Sequence, residues 1–290
     1  MPRLDSPLTN ATQATRVRVF ASDLDGTLVH SNKTVSRRAV NALSRLGELG
    51  VKIILCTGRP PRNVHKVTDV VPVNAPVLCS NGAIIYDPYT QTVLERRDID
   101  QESARHIIKL LIASFPTALF SAESGTCYRA EQRYYDMRQD HFPPTVPVQV
   151  VPTALDLVSN DTPGKITLLV PGLTAEEMYE QMPKELLAEG SPCKVTFSGE
   201  DYVEFSAPGV CKGSTLAAYC EKLGVPREAV VSVGDNHNDI EMIQWAGRGY
   251  AMGNAHQSLK QIAAYTTATN DEDGVAQLVE KLIEEIESSQ

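Results

Sequence analysis

Arg16-Val17-Arg18-Val19-Phe20-Ala21-Ser22-Asp23-Leu24-Asp25-Gly26-Thr27-Leu28 is the stretch from which the fold follows. A short apolar run of strand-forming residues carries the chain to two carboxylates one residue apart. Alternate residues of an extended chain point the same way, so Asp23 and Asp25 can aim at one place from a strand end. Gly26 lets the backbone turn sharply there. Two crowded acids cost energy unless a cation or a shared proton relieves the repulsion, which hints at a metal site with an acid–base partner. Acids and a glycine at a strand end are also ordinary turn chemistry, and that alternative stays open on this stretch alone. A helix–loop–helix calcium site wants acids at positions 1, 3 and 5, Gly at 6 and Glu at 12. Here the glycine directly follows the second acid and a strand precedes it, so the calcium reading fails on spacing.

Outward from this stretch, Ser36 to Gly50 has apolar residues at Val40, Leu43, Leu46 and Leu49, which predicts a helix capped by Ser36 and stopped by Gly50. Val51 to Cys56 reads as a second strand ending in Thr57-Gly58-Arg59-Pro60-Pro61. Strand, helix and strand in this order imply a parallel pair with a right-handed crossover. A helix over Arg62 to Val70 leads to strand Pro76 to Cys79 and the turn Ser80-Asn81-Gly82; Ala83 to Tyr86 and Thr92 to Glu95 read as a hairpin. From about Asp98 the order becomes α+β: helices at Ser103 to Ser114 and Glu176 to Leu187, and strands at Ala118 to Ala122, Thr126 to Arg129, Lys165 to Val170, Val195 to Phe197 and Tyr202 to Phe205. Arg129 to Val148 and Thr153 to Pro163 read as polar, proline-rich connections. Alternation then returns, with helix Lys212 to Leu223, strand Ala229 to Val233, helix Ile240 to Ala246, strand Gly249 to Met252, and helices Ser258 to Ala264 and Val275 to Ile286. The expectation is an α/β fold: a Rossmann-like parallel-sheet core over 16–97 and 207–290, an inserted α+β cap over 98–206, and a loose tail over 1–15.

Composition sets the outer bounds. A chain of 290 residues suits two domains, and 42% hydrophobic with 22% charged residues is globular. With 27 basic against 36 acidic residues the net charge is −9, which disfavours a nucleic-acid surface but leaves anionic small substrates open, since a few local cations hold one phosphate. No run approaches the roughly 20 apolar residues of a membrane span, and residues 1–15 lack the apolar segment of a signal peptide. Asn10-Ala11-Thr12 fits a glycosylation acceptor that carries no meaning without export. The six cysteines form no C-x-x-C pair and read as buried, reduced thiols. A cytoplasmic monomer or weak homo-oligomer, with no nucleic-acid or membrane partner, is expected.

Three loops share a pattern, since Asp23 to Thr27, Thr57 to Arg59 and Asp235 to Asp239 each directly follow an apolar strand. In a parallel α/β sheet, loops at the carboxyl ends of strands gather on one edge, where ligands bind. Lys212, opening a helix, can bring a cation to that edge. Carboxylates, a hydroxyl, backbone N–H groups and a lysine match what phosphoryl transfer needs: an attacking carboxylate, a magnesium ion to spread phosphate charge, and donors for the remaining oxygens.

The ordered set Asp23-Leu24-Asp25-Gly26-Thr27-Leu28, Thr57-Gly58-Arg59, Lys212-Gly213-Ser214 and Gly234-Asp235-Asn236-His237-Asn238-Asp239 resembles the haloacid dehalogenase-like hydrolases, and more narrowly the Cof-type phosphatases with their inserted α/β cap. Glu204 to Gly213, Asn238 to Met242, Ala251 to Ala255 and Glu272 to Ala276 add to it, while the middle of the chain is similar only in layout. The resemblance implies Asp23 as nucleophile, ionised at its ordinary pKa, and Asp25 as the acid–base residue with a raised pKa. It implies Mg²⁺ held by Asp23, Asp235 and the backbone carbonyl of Asp25, phosphate bound by Thr57, the Gly58 amide, Lys212 and Asn238, and Asp239 behind them. Helix-cap roles for Thr57 and Asp239 and a surface role for Lys212 remain alternatives.

Arg59 is expected to steady its loop, Asn81 to serve either the turn or a substrate, and His237 to fill its loop, since magnesium chemistry needs no histidine. Glu123, Tyr128, Arg129, Arg133, Tyr134, Tyr135 and His141 of the cap can face a substrate, but charged and aromatic residues on loops read first as solvated surface. The expected function is Mg²⁺-dependent hydrolysis of small phosphorylated metabolites; the resemblance implies sugar phosphates foremost, with pyridoxal phosphate or flavin-pathway intermediates as further candidates. A phosphosugar mutase on the same core and a phospho-accepting signalling domain without turnover are the alternatives.

Overall fold

In the computed structural model, which describes residues 16–139, 147–159 and 161–289, the opening stretch is β1 (Val19–Ser22), every residue of it buried. The tail 1–15 with Asn10, and His141, lie outside the described residues. The Ser36 hydroxyl accepts from the Ala39 amide and caps α1 (Arg37–Glu48), which buries Ala39, Ala42, Leu43 and Leu46. The chain then enters β2 (Lys52–Leu55), parallel to β1 with Val19 beside Lys52. The helix expected over Arg62 to Val70 is broken: Pro60 and Pro61 open a 3₁₀ turn over Pro61–Asn63, and only α2 (His65–Thr68) follows. β3 (Val77–Cys79), β4 (Ile84–Asp87) and β5 (Thr92–Arg96) form an antiparallel three-stranded sheet joined to the core by a parallel bridge between Cys56 and Leu78.

The middle of the chain builds a second layer. α3 (Gln101–Ser114), capped by the Asp100 carboxylate, precedes β6 (Leu119–Ser124) and β7 (Cys127–Glu131). The connection expected over Arg129 to Val148 instead holds the end of β7, α4 (Gln132–Arg138) and the start of β8 (Val148–Val151). α4 buries only Tyr134, so it has no apolar stripe to announce it. β9 (Lys165–Leu169) follows a 3₁₀ turn at Ala154–Val158. The helix expected over Glu176 to Leu187 splits at Pro183 into α5 (Ala175–Glu180) and α6 (Lys184–Leu187). β10 (Lys194–Thr196) and β11 (Val203–Ser206) complete a six-stranded sheet in the order β10-β11-β9-β6-β7-β8.

The core resumes with α7 (Lys212–Lys222), β12 (Val230–Gly234), α8 (Ile240–Trp245), β13 (Arg248–Ala251), α9 (Gln257–Ile262), β14 (Tyr265–Thr266) and α10 (Gly274–Ser288). Its sheet runs β14-β13-β12-β1-β2 and every pairing is parallel, with β1 held between β12 and β2. The expected α/β fold, a parallel-sheet core carrying a cap, is therefore the observed one. β14 is an edge strand of two exposed residues that no apolar run signals. All six cysteines are free thiols; Cys56, Cys79, Cys193 and Cys220 are buried, whereas Cys127, expected to be buried, is exposed on β7. Among the described residues no helix is long and apolar enough to cross a membrane.

Candidate active site

Three loops leave the carboxyl ends of β1, β2 and β12 and meet. Asp23 follows β1, and its amide donates to the Val233 carbonyl at 3.0 Å, which ties the first loop to β12. Gly26 sits at φ +76°, and a side chain there would put its Cβ 2.4 Å from Asp235 Oδ2, so the turn leaves room for the Asp235 carboxylate only because residue 26 is glycine. The Thr27 hydroxyl donates to Asp235 Oδ1 at 3.0 Å.

Asp23, Asp235 and Asp239 each offer a carboxylate oxygen, all within 4.8 Å of one another, and all three side chains are buried. Lys212 stands among them, fully buried, its ammonium donating to Asp23 Oδ1 at 2.5 Å and to Asp239 Oδ1 at 2.7 Å. A cation in the first turn of a helix is opposed by the aligned peptide dipoles, so these two carboxylates are what hold the charge there. Burial alone would strip the proton from Lys212, but Asp23 and Asp239 more than offset it and raise its pKa. Asp239 Oδ2 accepts the amides of Asp235 at 3.0 Å and Asn236 at 3.1 Å, so Asp239 braces the loop as well as the lysine. The surface alternative for Lys212 is thus excluded.

Burial is also the main force on the acids. It pushes the Asp23 carboxyl up to about 7 and that of Asp235 up to about 9, with Asp239 adding to both shifts, while Lys212 opposes them. This corrects the expectation of an ordinary ionised Asp23. Asp25 departs in the other direction. Burial raises it, but the Arg59 guanidinium, donating through Nε and Nη2 to its two oxygens at 2.6 Å each, wins and holds the carboxyl below its ordinary value. The raised pKa expected of Asp25 is absent because a bidentate pair favours the ionised form. Arg59 does steady a loop, though chiefly the one carrying Asp25.

The acid cluster fits a divalent cation. Its donors are all hard carboxylate oxygens, the set that suits magnesium, and the glycine at position 26 preserves the space beside Asp235 Oδ2. Asp23 and Asp235 have folded-state pKa values above the ordinary 3.8, so the metal-free native state binds more protons than the unfolded chain. Its stability is greatest below pH 3.8 as far as these two groups decide it, and falls as pH rises through about 7 and 9. Asp25 and Glu123, both lowered, act in the opposite sense, but only below their ordinary range. A divalent cation would bind only the deprotonated acids, so the rise in melting temperature on adding Mg²⁺ should be larger at about pH 8 than at about pH 5. Thermal melts across pH with Mg²⁺ or with chelator check this, and an increment that does not grow with pH contradicts it.

Thr57 is buried, and its Oγ1 accepts the Arg59 amide at 3.0 Å, while Asn238 donates through Nδ2 to Asn81 Oδ1 at 3.0 Å. Thr57, Gly58, Asp23, Asp25, Asp235 and Asn238 all line one cavity of about 640 Å³ between the parallel sheet and the six-stranded sheet. The far wall comes from the latter. Glu123, Tyr128 and Tyr134 line the cavity and are buried, so the solvated-surface expectation is wrong for these three. Arg133 is exposed, Arg129 turns to Gln149 and the Leu157 carbonyl, and neither lines the cavity, nor does Tyr135. Arg62 lies over the Tyr128 ring at 4.6 Å and Arg138 over the Tyr202 ring at 5.8 Å. His237 points away from the acids. Its ring stacks on Phe197 at 4.5 Å and meets Thr196 Oγ1 at 3.2 Å, so it seats the loop against the cap sheet and is more than filler.

Lys165, Glu204, Arg62, Arg138 and Tyr202 line the cavity as well, yet no motif in the sequence assigned them there. The one signal was a charged residue within an otherwise apolar strand, at Lys165 before Ile166 and at Glu204 before Phe205.

A family model described as haloacid dehalogenase-like hydrolase matches residues 20–279. The chain belongs to that family. Among the haloacid dehalogenase-like hydrolases, the pyridoxal phosphate phosphatase YbhA of Escherichia coli strain K12 is 31% identical over 267 residues, covering 90% of this chain and 97% of that protein. The 5-amino-6-(5-phospho-D-ribitylamino)uracil phosphatase YitU of Bacillus subtilis strain 168 is 26% identical, covering 92% and 98%. A solved haloacid dehalogenase-like hydrolase from Bacillus subtilis, 26% identical, superimposes with a TM-score of 0.77 over 91% of this chain and 99% of that one. With its relatives phosphatases of the Cof type, this haloacid dehalogenase-like hydrolase is a phosphoric monoester hydrolase.

Proposed function

We propose that the protein is a Mg²⁺-dependent phosphatase of small phosphorylated metabolites that works through an aspartyl-phosphate on Asp23. The observation that carries this reading is the buried Lys212 between Asp23 and Asp239, with Asp23 and Asp235 lining the cavity. Lys212 takes Oδ1 of Asp23, which leaves Oδ2 to attack phosphorus as the bond to the leaving oxygen breaks. Asp25 gives that oxygen its proton. It then takes one from the water that attacks the aspartyl-phosphate, and Asp23 and inorganic phosphate are regenerated. For Asp25 to carry a proton Arg59 must release it, and the incoming phosphate dianion is a competing partner for that guanidinium. Thr57, the Gly58 amide, Lys212 and Asn238 hold the phosphate oxygens. Mg²⁺, held by Asp23, Asp235 and the Asp25 carbonyl, would supply the positive charge that keeps the buried carboxylates ionised and offsets that of the phosphate.

Residues 98–206 act as the cap that excludes water and selects the leaving group. Tyr128, Tyr134, Tyr202 and Arg138 of the cap line the cavity, with Arg62 of the core laid over the Tyr128 ring, a surface suited to a planar, hydrogen-bonding leaving group. Pyridoxal phosphate, the substrate named for the Escherichia coli relative, therefore leads the candidates, ahead of sugar phosphates and the phosphorylated ribitylaminouracil named for the Bacillus relative. The test is phosphate release from such a panel with and without Mg²⁺. Release that needs the metal supports the reading. Turnover only with a sugar bisphosphate activator and no net release replaces it with a mutase, and a phospho-protein stable for many minutes replaces it with a signalling domain.

A further inference from the structure

The face of the six-stranded sheet that looks into the cavity carries three buried charges, Glu123 on β6, Lys165 on β9 and Glu204 on β11. β9 pairs with both β6 and β11, so the three side chains come together. The Lys165 ammonium donates to Glu204 Oε1 at 2.8 Å and to the Gly58 carbonyl at 2.9 Å, and lies 3.6 Å from Glu123 Oε1. Burial would discharge this lysine, but the two glutamates raise its pKa above the ordinary value and it stays an ammonium. A charge this expensive to bury is directed at a loop that the proposed function uses.

Two routes lead from Lys165 to the phosphate-binding groups. The first runs through one peptide. The cation on the Gly58 carbonyl fixes the peptide between residues 58 and 59, whose N–H donates to Thr57 Oγ1 at 3.0 Å. With its oxygen accepting from that peptide, the Thr57 hydroxyl keeps its own proton to donate into the cavity that it lines. The second runs through Glu204. An ionised carboxylate accepts and never donates, so Asn81 must present Nδ2 to Glu204 Oε2, at 3.0 Å, and Oδ1 to its other neighbour. Asn238 must then donate to Asn81 Oδ1, also at 3.0 Å, which leaves its second N–H for an anion. The charge on Glu204 thus sets the direction of the whole amide chain.

The backbone at Asn81 is built for this contact. Ser80, Asn81 and Gly82 have φ of +49°, +56° and +94°, a left-handed run that costs energy for the two non-glycine residues. Ser80 donates to Glu123 Oε2 at 3.0 Å, so both strained residues are held by glutamates of the cap sheet. A Cβ on Gly58 would stand 3.2 Å from Asn81 Oδ1, so the loop lies directly against the chain.

We propose that Glu204 and Lys165 are positioning residues of this enzyme, which aim the Thr57 hydroxyl and the Asn238 carboxamide at the transferring phosphoryl group. The inference rests on the phosphatase reading and on the phosphate-binding roles given there to Thr57, Gly58 and Asn238. Donors aimed at oxygens as they spread in the transition state act on kcat more than on substrate binding.

Glu204→Gln keeps the shape and removes the acceptor-only character. Its kcat should fall about 10- to 100-fold, the usual scale for partners that orient a site's ligands, with KM changed far less. Orthovanadate, which takes the five-coordinate form of the transition state, should inhibit the variant more weakly by a similar factor. Lys165→Met/Glu204→Gln removes both charges together, so it leaves no lone ammonium against Gly58, and it serves if the single variant fails to fold. Wild-type turnover with variants that match it in kcat and vanadate inhibition overturns this inference alone. Lost kcat with unchanged vanadate inhibition overturns it too, because a loss through general loosening has no reason to spare the analogue. A wild-type protein that releases no phosphate from any substrate overturns the phosphatase reading itself.

Discussion

Asp23→Asn should abolish phosphate release, by about 10³-fold or more on the scale seen when a nucleophile is removed, and should leave the metal-free fold at least as stable at neutral pH. Both halves come from one environment. Asp23 is 5% exposed and shares its site with Asp239, Asp235 and Asp25, and burial already pushes its carboxyl up to about 7. An asparagine oxygen still accepts from Lys212, so the hydrogen bond survives while the repulsion is relieved. Only the oxygen proposed to attack phosphorus is lost. Phosphate release and thermal melts in chelator, run on the same preparation, decide the matter. An inactive variant that is also strongly destabilised would make Asp23 a structural residue and the loss of activity uninformative. Stability gained where activity is lost is the signature of an acid held for chemistry against the preference of the fold.

The loops that meet at this site were legible because each follows an apolar strand. β1, β2 and β12 announce themselves by composition, and a parallel sheet obliges their carboxyl ends to share an edge. The opposite wall of the cavity was not legible, for a physical reason. Glu123, Lys165 and Glu204 are far apart in sequence and none of them alone says what it faces; they become a buried cluster only when β6, β9 and β11 lie side by side. Asp25 shows the same limit in sign. Its neighbours in sequence suggest crowding and a raised pKa, but Arg59, 34 positions away, reverses the shift. α4 escaped because a helix with one buried residue carries no stripe, and β14 because two exposed edge residues carry no run.

Lys212→Met should cost both stability and activity, and pH separates the two. The ammonium is fully buried and is the cation bonded to Asp23 and Asp239. Its removal leaves these acids and Asp235 facing one another in a desolvated pocket. Breaking a buried ion pair costs about 3–5 kcal/mol. At roughly 2–4 °C per kcal/mol for domains approaching this size, the melting temperature near neutral pH should drop by about 10 °C. The loss has a defined pH sense. Without the lysine the carboxyls rise further, so they are protonated more completely at about pH 5, where the repulsion disappears and part of the stability returns. Activity should not return with it, because methionine offers no donor to the phosphate and protonated acids no longer hold a metal. Melts of wild type and variant at about pH 5 and pH 8, beside phosphate release at both, give the comparison. Stability recovered at about pH 5 identifies the lysine as the counter-charge of these acids, while the part proposed for it as phosphate donor is read from turnover by the folded variant at about pH 8. Recovery of both would mean that the phosphate finds its cation elsewhere in the cavity.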